Sequence, residues 1–280
     1  MKELKIGVHK DIPFSQYAAD GGINASTLKH VAKSPLHAHA ERNHPSKQTP
    51  AMALGDAAHA SVLEPERFEA DFAKGLSCQR RSKADKEAWA EWEAAHPTQT
   101  ALGEKDWNIV ASIRESVSKH PAASELLLGD GLNEVTLVWD DEDTGHRCKG
   151  RIDRLTSYGS YPAVVDLKTT KDASVQGFGT EIARYHYHAS AAWYLRGANA
   201  LAPMNRRFFF IAVEKVPPFA VGVHELDAYS IEVGSALCQR WLEKYTRSLD
   251  SGNWEGYPAG IINQTLPVWA QREIEEEEAY

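Results

Sequence analysis

The chain has 280 residues, 42% hydrophobic and 25% charged, with a formal net charge of −8. These are the proportions of an ordinary soluble globular protein, large enough to bury a full core. Cys78, Cys148 and Cys238 are scattered and odd in number, which argues against a disulfide framework, a four-cysteine zinc ribbon and an iron–sulfur cluster. No apolar run is long enough to span a membrane, and Met1-Lys2-Glu3-Leu4-Lys5 lacks the apolar core of a signal peptide. A cytoplasmic protein without membrane contact is therefore expected. The acidic excess is confined to Asp140 to Asp143 and the tail from Gln271 to Tyr280, read as a solvated turn and a frayed end. The remainder is balanced, so the overall sign does not exclude a local groove for nucleic acid.

The first 130 residues read mostly as helix. Asn24 or Ser26 can cap a helix running to about Ala32, and Ser34 can cap the next, with Pro35 at its first position. Met52 to Leu63 carries apolar residues at helical spacing. Ser82 to Ala95 is a polar helix holding Trp89 and Trp92. Glu104 to Ser118 is amphipathic, with Trp107, Val110, Ile113 and Val117 on one stripe. The pattern then changes to strands at Glu134 to Trp139, Cys148 to Leu155 and Ala163 to Lys168, with a hairpin turn at Asp143-Thr144-Gly145. A helix over about Tyr185 to Ala200 follows. Next come strands over Arg207 to Val213 and Ala220 to Leu226, separated by Pro217-Pro218, and a closing helix over Ser230 to Ser248. This order predicts an α/β fold: a central mixed sheet of about five strands flanked by helices, with a helical N-terminal part. A single domain over 1–280 is expected, with 1–130 mostly helical, 131–250 the sheet and its helices, and 251–280 a tail.

The chemistry concentrates in Gly150-Arg151-Ile152-Asp153-Arg154 and Val164-Val165-Asp166-Leu167-Lys168-Thr169-Thr170. In a strand Asp166 and Lys168 share one face while Leu167 points to the other. If the two segments pair, Asp153 and Asp166 converge. Two carboxylates held together repel unless a divalent cation neutralises them, and a lysine beside that cation can hold a water. Those are the parts needed for metal-assisted phosphodiester hydrolysis. Arg80-Arg81, followed by Lys83 and Lys86, is the densest basic cluster and could grip a phosphate backbone. The helix starts at Ser26 and Ser34 could instead receive a terminal phosphate. The tryptophans read as core, with Trp89 and Trp92 alternatively stacking on a frayed base.

The run G-R-I-D-R, V-V-D-L-K-T-T resembles motifs II and III of the PD-(D/E)XK nuclease superfamily. Gly22 to Lys29, Ser34-Pro35, Ala51 to His59 and Leu63 to Phe68 resemble the N-terminal part of the RecE-type exonuclease domain, exodeoxyribonuclease VIII. Gly256-Tyr257 and Leu266 to Ala270 resemble its tail. The resemblance spans nearly the whole chain. It implies a Mg²⁺- or Mn²⁺-dependent enzyme digesting double-stranded DNA from a 5′ end by two-metal-type hydrolysis, in phage-type homologous recombination. The implied setting is a bacterial cell, with a phage or prophage gene. The implied partners are double-stranded DNA ends, a RecT-like single-strand annealing protein and further copies of the chain in a ring. By resemblance His59, Asp153, Asp166 and the main-chain carbonyl of Leu167 hold one ion, Lys168 orients the attacking water, and Glu134 supports a second ion or the water. The family's Q-x-x-x-Y helix falls on Ser190 and Tyr194, with serine where glutamine is usual. Tyr187, Ser190 and Tyr194, together with Arg80, Arg81 and Ser34, are the candidate DNA contacts. Two other functions fit the same fold: a non-catalytic DNA-end-binding recombination scaffold and a structure-specific endonuclease.

Overall fold

A computed structural model describes residues 3–47 and 49–267. The Val268-Trp269-Ala270 part of the tail motif and the Glu-rich segment 271–280 lie outside the described residues. In chain order the elements are β1 (Gly7–His9), α1 (Phe14–Ala19), α2 (Ala25–Val31), α3 (Pro35–Asn43), α4 (Pro50–Leu63), α5 (Pro65–Asp71), β2 (Phe72–Lys74), α6 (Lys83–Ala95), β3 (Thr100–Leu102), α7 (Glu104–Lys119), α8 (Pro121–Leu128), β4 (Leu132–Asp140), β5 (Arg147–Tyr158), β6 (Tyr161–Thr170), α9 (Val175–Arg184), α10 (Tyr187–Leu201), β7 (Arg207–Glu214), β8 (Val221–Glu225) and α11 (Ala228–Ser251).

Six strands form one mixed sheet in the order β1-β4-β5-β6-β7-β8, and β2 pairs with β3 apart from it. Only β6 and β7 run parallel within the large sheet; the helical crossover through α9 and α10 between them is what a parallel pair requires. The expected five strands become six because three-residue β1 joins the edge, Val8 opposite Leu137. A strand that short carries no readable alternation, and its partner lies far along the chain.

Alternating side chains of the strands feed two cores. Phe208, Phe210, Ala212 and Val164 pack beneath α2, α10 and α11, whereas Phe209, Ile211, Val213, Val165 and Leu167 pack against α4, α7 and α8. That explains why β6 and β7 read as continuous apolar runs: both of their faces are covered.

Helix starts follow local capping chemistry. Asn24, rather than Ser26, caps α2 by accepting from the Thr27 amide at 2.8 Å. Ser82 and Asp85 form a reciprocal capping box on α6. Prolines open α3, α4, α5 and α8. The expected helix from Tyr185 begins at Tyr187, because His186 adopts a left-handed conformation (φ 53°) and separates α9 from α10.

Two further readings are corrected. Asp140 to Asp143 is not simply a solvated turn: Asp141 is only 2% exposed and its carboxylate lies 2.5 Å from Arg196. Trp89 and Trp92 are not core, since α6 buries none of its residues; their indole N–H groups donate to the carbonyls of Cys78 and Lys74.

Candidate metal centre

The centre begins with a fault in two strands. On β4, Val135, Leu137 and Trp139 enter the core beneath α10, as does Ile152 on β5. Strict alternation would send Asn133 and Arg154 to the same side. Instead Asn133 donates to the Leu63 carbonyl at the end of α4, and Arg154 donates to the Leu126 carbonyl on α8. The alternation therefore slips by one between these positions, at Glu134 and Asp153. The flanking register, Asn133 opposite Arg154 and Val135 opposite Ile152, sets these two acids across from each other. Glu134 carries the slip in its backbone, with φ at 50°, a left-handed value that a glutamate rarely adopts. On the other side of β5 the ladder to β6 runs only as far as Arg154 opposite Val165. Beyond it the Asp153 carboxylate itself takes the Leu167 amide at 2.7 Å.

Helix α4 supplies the third group. Ala57, Ala58 and Ala60 are fully buried, and their small side chains let the helix lie close on the sheet. His59 then reaches Asp153 through Nε2 at 2.8 Å and Glu134 through Nδ1 at 3.2 Å. One atom from each of His59, Glu134 and Asp153 lies within 4.8 Å of the others. Burial opposes charge on the imidazole, but Asp153 and Glu134 outweigh it and lift His59 to about 9. Burial and Asp153 push the Glu134 carboxyl up, while His59 holds Asp153 down against its own burial. Both ring nitrogens face carboxylates, so the protonated ring sits between two negative charges. An imidazole ligates a metal only when neutral, so cation uptake here releases that proton. The donor set fits a divalent cation: one nitrogen, two carboxylates, and a buried Glu134 Oε1 that accepts no hydrogen bond despite facing His59.

Asp166 and Lys168 stand on β6 with Val164, on the face beneath α10. Asp166 is 3% exposed and ion-paired with the Lys168 ammonium. Burial raises the Asp166 pKa. Lys168 is raised too, because Asp166 and Asp153 overcome its burial, so it stays charged. The expected trio of His59, Asp153 and Asp166 thus differs from the cluster observed. Glu134 takes the third place, opposite Asp153 on β4, while Asp166 is engaged by Lys168. The Leu167 amide, next to the carbonyl expected to reach the ion, donates to Asp153.

Two clefts meet at His59. One, of about 760 Å³, is lined by His59, Glu134, Asp153, Arg151 and Tyr194. The other, of about 310 Å³, is lined by His59, Leu167, Lys168 and Tyr187. Tyr194 lies against Gly150, where an added Cβ would crowd its ring at 3.2 Å. The remaining candidates stand apart. Arg80 pairs with Glu93 at 2.6 Å and lies over Trp89, and neither it nor Arg81 lines these clefts. Ser34 is 5% exposed and its hydroxyl caps α3. Ser190 is buried on α10.

Three basic residues escape the sequence reading. Arg151 ion-pairs with Glu134 and donates to the Ile12 carbonyl at 2.7 Å, and Arg67 lines the larger cleft. Lys29 on α2 lies 5.2 Å from the Tyr187 ring centre. Burial and Lys168 push it down to about 8. All three sit inside the quoted motifs, but nothing local says that they face the clefts.

A family profile described as a PDDEXK-like domain of unknown function (DUF3799) matches residues 24–263. Among solved structures, a candidate exonuclease from Eubacterium rectale has a TM-score of 0.61 at 11% identity, covering 92% of this chain and 95% of its own. At that identity the likeness is one of fold. The protein SSO0001 (TM-score 0.29, 16% identity, 67% of this chain and 85% of its own) and VC1899 from Vibrio cholerae (0.22, 11%, 85% and 59%) are too distant to carry an argument. No curated protein sequence matches the chain.

Proposed function

The chain belongs to the PDDEXK-like domain family of unknown function, and from that premise we propose that it is a divalent-metal-dependent deoxyribonuclease. The observation that carries this reading is the convergence of His59, Glu134 and Asp153 within 4.8 Å, beside a lysine–aspartate pair on the adjoining strand. His59, Asp153 and Glu134 would hold the cation, with Asp166 and the Leu167 carbonyl as additional donors for it or for a second ion. The ion, Mg²⁺ or Mn²⁺, supplies Lewis acidity and a water acidified toward neutrality. Lys168, kept protonated by Asp166, orients the attacking water and offsets charge building on the phosphate; a group held so firmly charged serves poorly as a general base. Arg151 fixes one oxygen of Glu134, leaving the other turned toward His59. Tyr187 and Tyr194 give the two clefts aromatic walls against which a nucleotide can lie.

The finer reading is a 5′→3′ exonuclease on double-stranded DNA in phage-type recombination, working beside a single-strand annealing protein, with a ring of subunits enclosing the duplex. The resemblance of the segments around α2 to α4 to the RecE-type domain supports it. The test is Mg²⁺-dependent digestion of a linear duplex labelled separately at each 5′ and 3′ end, beside a covalently closed circle. Early release of 5′ label with the circle intact is expected. Cutting of the circle would make the protein an endonuclease. No cutting with either Mg²⁺ or Mn²⁺ would refute the nuclease reading and favour an end-binding scaffold.

A further inference from the structure

Lys29 has no part in the chemistry above, yet it shares its interior. It projects from α2 toward the ring of Tyr187, with Nζ 5.2 Å from the ring centre; Lys168 Nζ stands 5.4 Å from the same centre. One aromatic ring thus holds two ammonium groups. Each contact is favourable by itself, but the two cations repel each other. Their compensation is unequal. Lys168 has Asp166 as its ion-pair partner. The Lys29 ammonium makes no hydrogen bond and no ion pair among the described residues. Its other charged and titratable neighbours are Asp166, already engaged, the buried thiol of Cys238, and His186. Partial burial of an unpaired ammonium beside a second one costs free energy unless an anion joins them. Lys168 and Tyr187 line the 310 Å³ cleft that opens beside His59, so an anion has room to enter next to them.

We propose that Lys29 and Lys168, arranged about the ring of Tyr187, form a seat for a phosphate group of the nucleic-acid strand, with Lys29 gripping an oxygen of that group. This rests on the nuclease reading and adds to it a residue that binds substrate. The group is either a terminal phosphate monoester or an internal phosphodiester, and the chemistry of the seat is the same for both.

The test is equilibrium binding, by fluorescence anisotropy, of two duplexes that differ only in a 5′-phosphate or 5′-hydroxyl. Ca²⁺ replaces Mg²⁺ to limit cutting, and a salt series is run for wild type, Lys29→Met and Lys29→Arg. Removing one phosphate contact should weaken binding by about tenfold and reduce the salt slope by about one, with Lys29→Arg restoring most of both. With Mg²⁺, Lys29→Met should raise KM far more than it lowers kcat. A loss confined to the 5′-phosphorylated duplex assigns the seat to a strand end; an equal loss on both assigns it to an internal phosphodiester. Either result supports the seat. Wild-type affinity and salt slope in Lys29→Met on both duplexes would overturn it. So would equal losses in Lys29→Arg and Lys29→Met when both melt like wild type, since charge would then not be what matters. If the wild-type protein binds DNA but never cuts it, the nuclease reading fails while the binding comparison still judges Lys29.

Discussion

His59 gathers the electrostatics of the centre at one ring. Its pKa rises from the ordinary 6.5 to about 9 because Asp153 and Glu134 outweigh burial. A raised pKa means that the folded state keeps a proton the unfolded chain gives up. The stabilisation is therefore complete below about pH 6.5 and is lost as pH rises through about 9, a swing on the order of 3 kcal/mol. In chelator, urea midpoints should favour wild type over His59→Gln at pH 6, and the gap should shrink by pH 9.5. A gap constant across that range would show that the ring is not held protonated. Lys168 and Asp166 lead to a different expectation. Lys168→Ala and Asp166→Ala should each lower Mg²⁺-dependent cutting by about a thousandfold or more, as loss of preorganised charge does, with far-UV circular dichroism unchanged. Full rate in either variant would remove that residue from the mechanism.

Among the elements, β4 and β5 matter most, because the slip at Glu134 and Asp153 turns both acids out of regular alternation. Backbone strain of this kind costs on the order of 1–3 kcal/mol and persists where surrounding structure holds it. Here the ladder on both sides, the Arg151 ion pair and the Asp153–Leu167 bond hold it. Most of the helices and strands were legible beforehand: a cap at Asn24 or Ser26, a cap at Ser34, a helix start at Ser82, the alternation of β4 and the apolar runs of β6 and β7 are local chemistry. The elements missed were β1, α1, α5, β2, β3, α8 and α9. Each is short or, like α9 with Gly177 and Gly179, poor in helix-forming sequence, and tertiary contacts make up the difference; Phe178 of α9, for instance, is fully buried against Phe210 and His224. The packing of α10 on α11 depends on Gly234, where a Cβ would stand 2.3 Å from the His188 carbonyl oxygen. A backbone atom cannot swing aside as a side chain does. Gly234→Ala should therefore destabilise by roughly 1–3 kcal/mol in urea melts; an unchanged midpoint would mean that the two helices separate freely.

Across the molecule, the N-terminal segment is tied to the sheet by Lys149, which donates to the carbonyls of Tyr17 and Asp20, both at 2.6 Å. Phe14 and Tyr17 from that segment wall the larger cleft. Lys149→Met should loosen it, seen as faster proteolysis before α2 with the sheet still folded; unaltered cleavage would show that the carbonyl contacts are dispensable. Binding of a cation to the folded state alone raises its stability, by about 2.7 kcal/mol at a hundredfold excess over Kd. Mn²⁺ should accordingly raise Tm in wild type and not in Asp153→Asn, and an equal rise in both would place the ion elsewhere. Among the described residues no helix is long and apolar enough to cross a membrane.

By itself the sequence determined the α/β class, the order of the main strands and helices, and the chemical character of the G-R-I-D-R and D-L-K segments, because capping, alternation and residue type act over a few positions. It also named His59 and Glu134 as partners for the acids, through resemblance. Only the tertiary structure decided which groups meet. Glu134 faces His59 because a left-handed residue shifts the phase of β4, and Lys29 reaches Tyr187 from a helix far away in the chain. Those juxtapositions come from packing α2 and α4 against opposite sides of the sheet, and no local stretch of sequence carries that information.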